Sequence, residues 1–145
     1  MAYLRIKSKP LDGTIMAQPS KSMAHRAIIC ASLATGTTTI DNVVLSDDIS
    51  ATIGAVSQLG AEIKIEDSLK YIGRKLITID SNGKISSKEK VIDCRESGST
   101  ARFMMPITRL DDSSSTFTGC GRLTERPFDI YKNLFVEKGI TYKDN

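Results

Sequence analysis

The sequence predicts an α+β protein built from a repeated βαβαββ unit. Three observations support this prediction. Helix-like and strand-like segments alternate along the chain, the same order begins again after residue 82, and matched residues recur at offsets of roughly 76 to 79 positions. With 40% hydrophobic and 26% charged residues among 145, the composition is that of one globular domain, not of a disordered, fibrous or coiled-coil chain.

The first unit, residues 20–82, opens with an amphipathic helix over residues 20–34, whose apolar residues recur at one-, three- and four-residue steps. The β-branched run at residues 37–40 predicts a short strand. A second helix opens at residues 46–48 (Ser-Asp-Asp), where a capping hydroxyl and two acids suit the positive helix end, and it continues to Gly60. Alternating polarity predicts three further strands, at residues 61–66, 70–73 and 75–80.

The second unit, residues 83–145, follows a polar, turn-rich segment. Its predicted order is strand, helix, strand and helix, at residues 91–94, 99–110, 115–118 and 127–138. The pairs that suggest a duplication are Ser22 with Ser99, Arg26 with Arg102, and Gly60 with Gly139. The second unit stops where the first continues for two more strands, so we expect it to be truncated.

The charge and the start of the chain exclude several classes of protein. The net charge of +3 is small and evenly spread, whereas nucleic-acid-binding proteins usually concentrate Lys and Arg in runs. No apolar run approaches the roughly 20 residues of a membrane span, and the first residues lack the features of a signal peptide. We therefore expect no nucleic-acid partner, no membrane association and a cytoplasmic location.

Cysteine and histidine are too few and too scattered for a metal site or a disulfide framework. Cys30, Cys94 and Cys120 are widely spaced, and His25 is the only histidine. We expect buried thiols, above all for Cys30 inside the first helix, and a surface or structural role for His25 in preference to acid–base catalysis.

The chemically informative residues gather at helix starts, where unpaired N–H groups and the helix dipole favour anions. At the first start, Lys21 lies on the opening turn, and Ser22 and Arg26 share a helix face. At the second start, Ser97 can cap the helix and Gly98 lets a ligand approach the backbone. A solvated polar face or an ordinary capped helix would explain either segment alone.

The third segment, residues 119–127, contains two glycines, and Pro127 suits a first helical position. It adds the cations Arg122 and Arg126, and Arg102 lies on the opening turn of the preceding helix. None of the three segments matches the phosphate loop or the dinucleotide fingerprint, so ATP and NAD have no motif support. Three anion sites together indicate binding of small, multiply anionic metabolites in a cleft.

These segments resemble, in order and spacing, the amino-terminal part of the 5-enolpyruvylshikimate-3-phosphate synthase family. The resemblance covers nearly the whole chain. It rests on residues 19–26 (Pro-Ser-Lys-Ser-Met-Ala-His-Arg), 36–40, 46–49, 93–102 and 122–127 (Arg-Leu-Thr-Glu-Arg-Pro). Ser20 and Ala24 depart from the commonest form of the family, and neither change removes a charged ligand contact.

The resemblance implies a fold of two lobes, each of three βαβαββ units, with residues 1–19 as a crossing strand segment. It implies transfer of the enolpyruvyl group of phosphoenolpyruvate to the 5-hydroxyl of shikimate 3-phosphate, with release of phosphate, on the route to chorismate and the aromatic amino acids. It implies a monomer without a metal or organic cofactor. Since the second lobe would lie beyond Asn145, we expect the isolated chain to be inactive.

The resemblance also implies roles for individual residues. Lys21 would be the catalytic residue and would contact both substrates, while Ser22 and Arg26 would hold shikimate 3-phosphate. Gly98 would form the wall of the phosphoenolpyruvate pocket, where the inhibitor glyphosate also binds, and Arg122 would bind the phosphoenolpyruvate anion. Two further arginines, Arg102 and Arg126, would support the site.

Three alternatives remain at this stage. One is the related enolpyruvyl transferase that acts on UDP-N-acetylglucosamine, although it carries Lys-Asn where this chain has Lys21 and Ser22. Another is a phosphate- or RNA-binding module of related architecture, which would bind single-stranded RNA in a salt-sensitive way. The last is a folding or interaction unit whose ligand contacts persist without function.

Overall fold

In the computed structural model, which describes residues 3–85 and 90–144, those residues form four α-helices and five β-strands. In chain order these are α1 (Lys21–Leu33), β1 (Thr35–Val43), α2 (Asp47–Gln58), β2 (Glu62–Asp67), β3 (Lys75–Asn82), β4 (Lys90–Asp93), α3 (Gly98–Ile107), β5 (Ser115–Thr118) and α4 (Asp129–Glu137). Residues 3–19 precede α1 without a helix or strand, and their side chains are almost all exposed.

The strands form two sheets. In the three-stranded antiparallel sheet β3 lies between β1 and β2, and β4 pairs with β5 in a two-stranded parallel sheet. The centre of β3 carries the fully buried Ile77 and Ile79, which lie opposite Ile65 and Ile63 of β2. Because alternate residues of a strand face opposite sides of the sheet, these two isoleucines belong to one apolar face.

A single hydrophobic core joins both sheets to the helices. The helices α1 and α2 pack against each other, α1 also contacts β1 and β3, and α2 contacts α3 and β4. Ile28, Ile49, Ile92 and Met104 are completely buried in this core. Burial of this apolar surface is the main favourable contribution to folding, and it positions the starts of α1, α2 and α3 side by side.

The predicted starts of the first three helices are confirmed. Ser20, Ser46 and Ser97 are the N-caps of α1, α2 and α3, and each side-chain oxygen accepts a hydrogen bond from the backbone N–H three residues later, at 3.2 to 3.3 Å. An N-cap of this type satisfies one of the unpaired N–H groups at a helix start.

The predicted strand at residues 70–73 is wrong. These residues belong to the loop between β2 and β3, where the Ser68 hydroxyl accepts hydrogen bonds from the N–H groups of Lys70 and Tyr71. Ile72, the aliphatic residue of the predicted strand, is fully exposed, as is Leu69 just before it. A local turn held by a serine side chain has replaced the strand pairing that alternation alone predicted.

Two predicted boundaries in the second unit shift. The helix α3 ends at Ile107 instead of Leu110 and is followed by one 3₁₀ turn; Pro106, which has no backbone N–H, lies next to this end. The helix α4 begins at Asp129, so Pro127 lies before its N-cap, Phe128, and not at the first helical position.

The expectation of buried thiols is correct for Cys94 alone. Cys94 lies at the end of β4, and burial raises the pKa of its thiol to about 12. Cys30 and Cys120 are exposed. Cys30 belongs to α1 as predicted, but it lies on the side of the helix away from the buried Ile28 and Ile29.

The two units share the order helix, strand, helix, as the repeated pattern predicted. Gly60 and Gly139 each follow the C-cap residue of a helix, α2 and α4, and both have positive φ, at 104° and 71°. Glycine adopts this conformation at the end of a helix without a steric penalty. The division into residues 1–19, 20–82 and 83–145 stays a prediction.

A buried chain of polar groups connects α1, α2 and α3. The Nδ1 atom of His25 lies 2.7 Å from Oγ1 of Thr52, which lies 2.7 Å from Oγ1 of Thr100. The Thr100 hydroxyl lies 2.7 Å from Oγ of Ser97 and 3.3 Å from the carbonyl oxygen of Asp48. His25, Thr52, Thr100 and Ser97 are each at most 1% exposed, so their polar groups depend on one another for hydrogen bonds.

Burial lowers the pKa of His25 below its usual 6.5, because the charged ring would lose its hydration. The positive charges of Lys21 and Arg26 lower this pKa further, whereas the carboxylate of Asp48 opposes the shift. His25 is therefore neutral at neutral pH, and it lies in the core and not at the surface.

We predict that acidification destabilises the fold through His25. The unfolded chain binds a proton near pH 6.5 while the folded chain resists it, so stability is full above 6.5 and falls as the pH drops towards the folded pKa. The loss is limited to about 1.4 kcal/mol per pH unit. Urea unfolding from pH 7.5 to 5.5 measures it, with His25→Gln as the non-titrating control; equal slopes in both proteins would contradict the prediction.

Candidate functional site

The first predicted site residues, Lys21, Ser22 and Arg26, lie together on the opening turns of α1. The Nζ atom of Lys21 forms an ion pair with Oδ2 of Asp48 at 2.5 Å, which joins the start of α1 to the start of α2. Both partners are partly exposed, at 56% and 32% of the side chain for Lys21 and Asp48 respectively. Water screens such a pair, so its contribution to stability is at most about 1 kcal/mol.

Arg26 is held close to its own helix. Its Nη1 atom donates a hydrogen bond to the carbonyl oxygen of Ser22 at 2.9 Å, and its Cζ lies 5.2 Å from the ring centre of Phe103 on α3. A guanidinium group at this distance from an aromatic ring is attracted by the ring electrons. The arginine therefore bridges α1 and α3, and no carboxylate among the described residues forms an ion pair with it.

The second group of predicted residues converges on Gly98, the first residue of α3. A Cβ atom added at Gly98 would collide with Nη1 of Arg126 and would lie 3.4 Å from Nη1 of Arg102. The guanidinium of Arg102 also lies 5.7 Å from the ring centre of Phe128. The absence of a side chain at Gly98 thus lets two cations approach the N-terminal end of α3 together, where the helix dipole also favours an anion.

The third loop packs directly against the loop that precedes α3. The N–H of Cys120 donates to the carbonyl oxygen of Arg95 at 2.8 Å, and Gly119 approaches that carbonyl so closely that an added Cβ would lie 2.9 Å from it. The carboxylate of Glu96 occupies the space where a side chain at Gly121 would begin. Glycine is favoured at Gly119 because a backbone oxygen lies where a Cβ would be, and at Gly121 because its φ of 53° lies in the left-handed region that side chains disfavour.

Arg122 lies on the short 3₁₀ turn Gly121–Leu123 and is exposed. Its neighbour Leu123 is buried, which anchors this turn to the core. Within residues 3–85 and 90–144, no ion pair connects Arg102, Arg122 or Arg126 to a carboxylate. The positive charge of these arginines is therefore free to attract an anionic ligand.

The structure brings the predicted residues into two clusters. Lys21, Ser22 and Arg26 form one cluster, and Gly98, Arg102 and Arg126 form the other; the bridging contact between Arg26 and the α3 residue Phe103 connects them. Arg122 lies on the loop next to the second cluster but does not share the close contacts at Gly98. Each cluster combines cations with a helix start, so each can bind a phosphate or carboxylate group.

Sequence reasoning missed three features of these clusters. It did not identify Asp48 as the partner of Lys21, nor the position of Glu96 beside Gly121, nor the buried hydroxyl groups of Thr52 and Thr100 behind both helix starts. The acids at the start of α2 were recognised only as favourable to the helix dipole. No signal in the sequence connects these residues, because they meet only in the folded chain.

Among the residues that the structure describes, no group of three or more His, Cys, Asp or Glu side chains is arranged to hold a metal ion. None of the helices formed by residues 3–85 and 90–144 is both long enough and apolar enough to cross a membrane.

Comparison with curated proteins identifies close relatives. The chain is 48% identical over 145 residues to a 3-phosphoshikimate 1-carboxyvinyltransferase of Clostridium beijerinckii, which covers 98% of this chain and 33% of the relative. It is 46% identical to the enzyme of the same name from Clostridium perfringens (strain SM101), over 98% of this chain and 32% of the relative. The chain therefore spans about a third of the length of the curated relatives it matches.

Solved structures and a family model agree with these relatives. An EPSP synthase from Acinetobacter baumannii superposes with a TM-score of 0.73 at 24% identity, over 89% of this chain and 28% of that chain. A second structure of the Acinetobacter baumannii enzyme gives a TM-score of 0.70 at 26% identity, over 86% of this chain and 27% of that one. These likenesses confirm the predicted fold class of mixed helices and strands, consistent with part of one lobe. Since the family model described as EPSP synthase (3-phosphoshikimate 1-carboxyvinyltransferase) matches residues 6–143, the chain belongs to the EPSP synthase family.

Proposed function

We propose that this chain provides part of the active site of a 3-phosphoshikimate 1-carboxyvinyltransferase. The reaction transfers the enolpyruvyl group of phosphoenolpyruvate to the 5-hydroxyl of shikimate 3-phosphate. The hydroxyl oxygen loses its proton and bonds to the enol carbon that carries the phosphate, while the C=C π bond breaks and the methylene carbon gains a proton. This tetrahedral intermediate then loses a proton from the methyl group and its C–O bond to phosphate, which restores the double bond and releases inorganic phosphate. Family membership supports this proposal, and it favours shikimate 3-phosphate over UDP-N-acetylglucosamine as the acceptor.

The single observation that carries the proposal is the pair of cationic clusters at adjacent helix starts. Both substrates are polyanions, and each cluster offers cations that can hold one of them. We assign shikimate 3-phosphate to the cluster of Lys21, Ser22 and Arg26, where hydroxyl and guanidinium donors share one helix face. We assign phosphoenolpyruvate to the cluster at Gly98, where the backbone is open to a close approach.

Lys21 is assigned to the reacting acceptor hydroxyl by the family resemblance, and its place on the opening turn of α1 supports this assignment. Its ion pair with Asp48 keeps the partly exposed ammonium group beside the start of α2. Because water screens this pair, a polyanionic substrate can replace Asp48 as the partner of Lys21 with little loss of free energy. In the assigned role Lys21 contacts both substrates and stabilises the negative charge that shifts during the addition.

The arginines act by position and charge in this proposal. Arg126 and Arg102 reach Gly98 from two different elements, so an anion at the start of α3 meets two guanidinium groups. Arg122, on the loop beside them, binds the phosphoenolpyruvate anion, as the family resemblance implies. Groups that are already in place before the reaction cost no reorganisation when charge develops. The cytoplasmic location and the monomeric state stay predictions.

We expect the two substrates to perturb different parts of the chain. In a titration followed by amide NMR, shikimate 3-phosphate should shift the signals of Lys21, Ser22 and Arg26, and phosphoenolpyruvate those of Gly98 and its neighbours. Inorganic phosphate and UDP-N-acetylglucosamine serve as comparison ligands. Equal shifts with UDP-N-acetylglucosamine would contradict the assigned acceptor, and unchanged spectra with both substrates would contradict the proposed function.

We predict that Gly98→Ala weakens phosphoenolpyruvate binding by about tenfold, the effect typical of one misplaced methyl group in a binding pocket. The new Cβ would displace the Arg126 guanidinium, whereas shikimate 3-phosphate binding should change less than about twofold because its cluster is untouched. Calorimetric titration of both ligands measures this.

Gly54→Ala is the matched control for this substitution. Gly54 is also in a helix, α2, but apart from its two neighbours in the chain and the adjacent backbone of its own helix, an added Cβ would meet no atom within 4 Å. Both affinities should therefore match those of the unmodified chain. If the two alanine variants bind phosphoenolpyruvate equally well, Gly98 does not form the wall of its pocket.

A further inference from the structure

The buried polar chain behind the two cationic clusters contains a hydroxyl group with more acceptors than protons. The Thr100 hydroxyl lies 2.7 Å from Oγ1 of Thr52, 2.7 Å from Oγ of Ser97 and 3.3 Å from the carbonyl oxygen of Asp48. A hydroxyl has one proton to donate and lone pairs to accept. It can therefore serve only one of these acceptors at a time.

His25, the first of these buried polar groups, determines where the hydroxyl protons of Thr52 and Thr100 lie. His25 is 1% exposed, and its Nε2 atom is buried without a hydrogen-bond partner among the described residues. Buried N–H groups without an acceptor are rarer than acceptors with an unused lone pair. The favoured tautomer of the neutral ring thus carries its proton on Nδ1 and donates it to Thr52.

This tautomer determines which group donates in each hydrogen bond from His25 through Thr52 to Thr100. Since Thr52 accepts the proton of His25, it donates its own hydroxyl proton to Thr100, which already lies within 2.7 Å. The proton of Thr100 is then left with two acceptors, Ser97 and Asp48. These two arrangements are a pair of discrete hydrogen-bond states of one buried group.

The two acceptors belong to different subsites. Asp48 holds Lys21 through its side chain and meets Thr100 through its main-chain carbonyl. Ser97 is the N-cap of α3, directly before Gly98. An anion that takes Lys21 from Asp48 therefore acts on the residue that competes with Ser97 for the proton of Thr100.

We propose that the Thr100 hydroxyl, oriented by His25 and Thr52, is a positioning group that couples the Lys21 cluster to the Gly98 cluster. This inference rests on the proposed function. Ser97, at 2.7 Å, is already the closer acceptor, and Asp48, at 3.3 Å, competes with it. When shikimate 3-phosphate engages Lys21, this competition weakens, the Thr100 proton stays on Ser97, and the phosphoenolpyruvate pocket at Gly98 becomes better ordered. Such coupling needs an element with two states that both sites bias, and Thr100 is that element.

The direct test measures the affinity for phosphoenolpyruvate with and without saturating shikimate 3-phosphate. In the unmodified chain we expect the first ligand to strengthen binding of the second by about fivefold or more. Thr100→Val keeps the shape of the side chain and removes the hydroxyl, so this factor should fall to within about twofold of one. Thr100→Ser keeps the hydroxyl and should retain the coupling.

Thr108→Val is the matched control. Thr108 is also a buried threonine close to α3, but its hydroxyl donates to the carbonyl oxygen of Met105 at 3.0 Å, outside the polar chain. Urea unfolding verifies that each variant is folded, and Thr52→Val, which disconnects His25 from Thr100, replaces Thr100→Val if that variant is not.

The outcomes separate this inference from the proposed function. Binding of both ligands without coupling, or coupling that persists in Thr100→Val, overturns the inference and leaves the proposed function intact. Failure of the unmodified chain to bind either ligand contradicts the proposed function and the coupling together.

The proton arrangement has its own test, which needs no ligand. Because His25 is the only histidine, its ¹⁵N resonances give the tautomer without ambiguity. We expect the proton on Nδ1, and Thr52→Val should alter this signature. A proton on Nε2 would make Thr52 the donor to His25 and would bind the Thr100 proton to Thr52, so it would overturn the inference.

Discussion

The site depends on the buried polar contact between α1, α2 and α3. A polar group taken out of water must find a partner in the protein, and the partners of His25, Thr52 and Thr100 lie on one another's helices. The three helices can therefore not slide or rotate independently without leaving a buried group unpaired. Apolar packing alone would tolerate small shifts of this kind, whereas hydrogen bonds with a fixed length and direction do not.

This constraint explains how exposed cations can be arranged without strong ion pairs of their own. Lys21 has a solvent-screened carboxylate partner, Arg26 has a carbonyl oxygen and an aromatic ring, and Arg102 lies over the ring of Phe128. None of these contacts neutralises the charge completely. Buried hydrogen bonds fix the positions of the helices where they meet, and the charged ends of the side chains remain available to a ligand.

The sequence was sufficient for features that depend on neighbours along the chain. The caps at Ser20, Ser46 and Ser97 and the glycines after α2 and α4 were predictable because their geometry is decided within one helical turn. The strand expected at residues 70–73 failed for the converse reason, since alternation of polarity does not distinguish a strand from a loop that a serine side chain closes.

Features that depend on distant residues were not predictable from the sequence. The exposure of Cys30 depends on which side of α1 meets the core, and apolar residues lie on more than one side of that helix. For the site, the cationic residues and their helix starts were identified from the motifs. The approach of Arg126 to Gly98 and the meeting of Thr52 with Thr100 join positions 28 and 48 residues apart, and tertiary packing alone decides them.

The unequal exposure of the three cysteines gives the chain an internal chemical reporter. Thiol reagents attack the thiolate, so the exposed Cys30 and Cys120 are open to rapid alkylation, whereas Cys94 is 1% exposed and its pKa of about 12 leaves almost no thiolate at neutral pH. Cys94 lies four residues before Gly98, at the junction of β4 and α3. Its alkylation therefore requires this junction to open, and the rate of modification reports how often the start of α3 separates locally from the core.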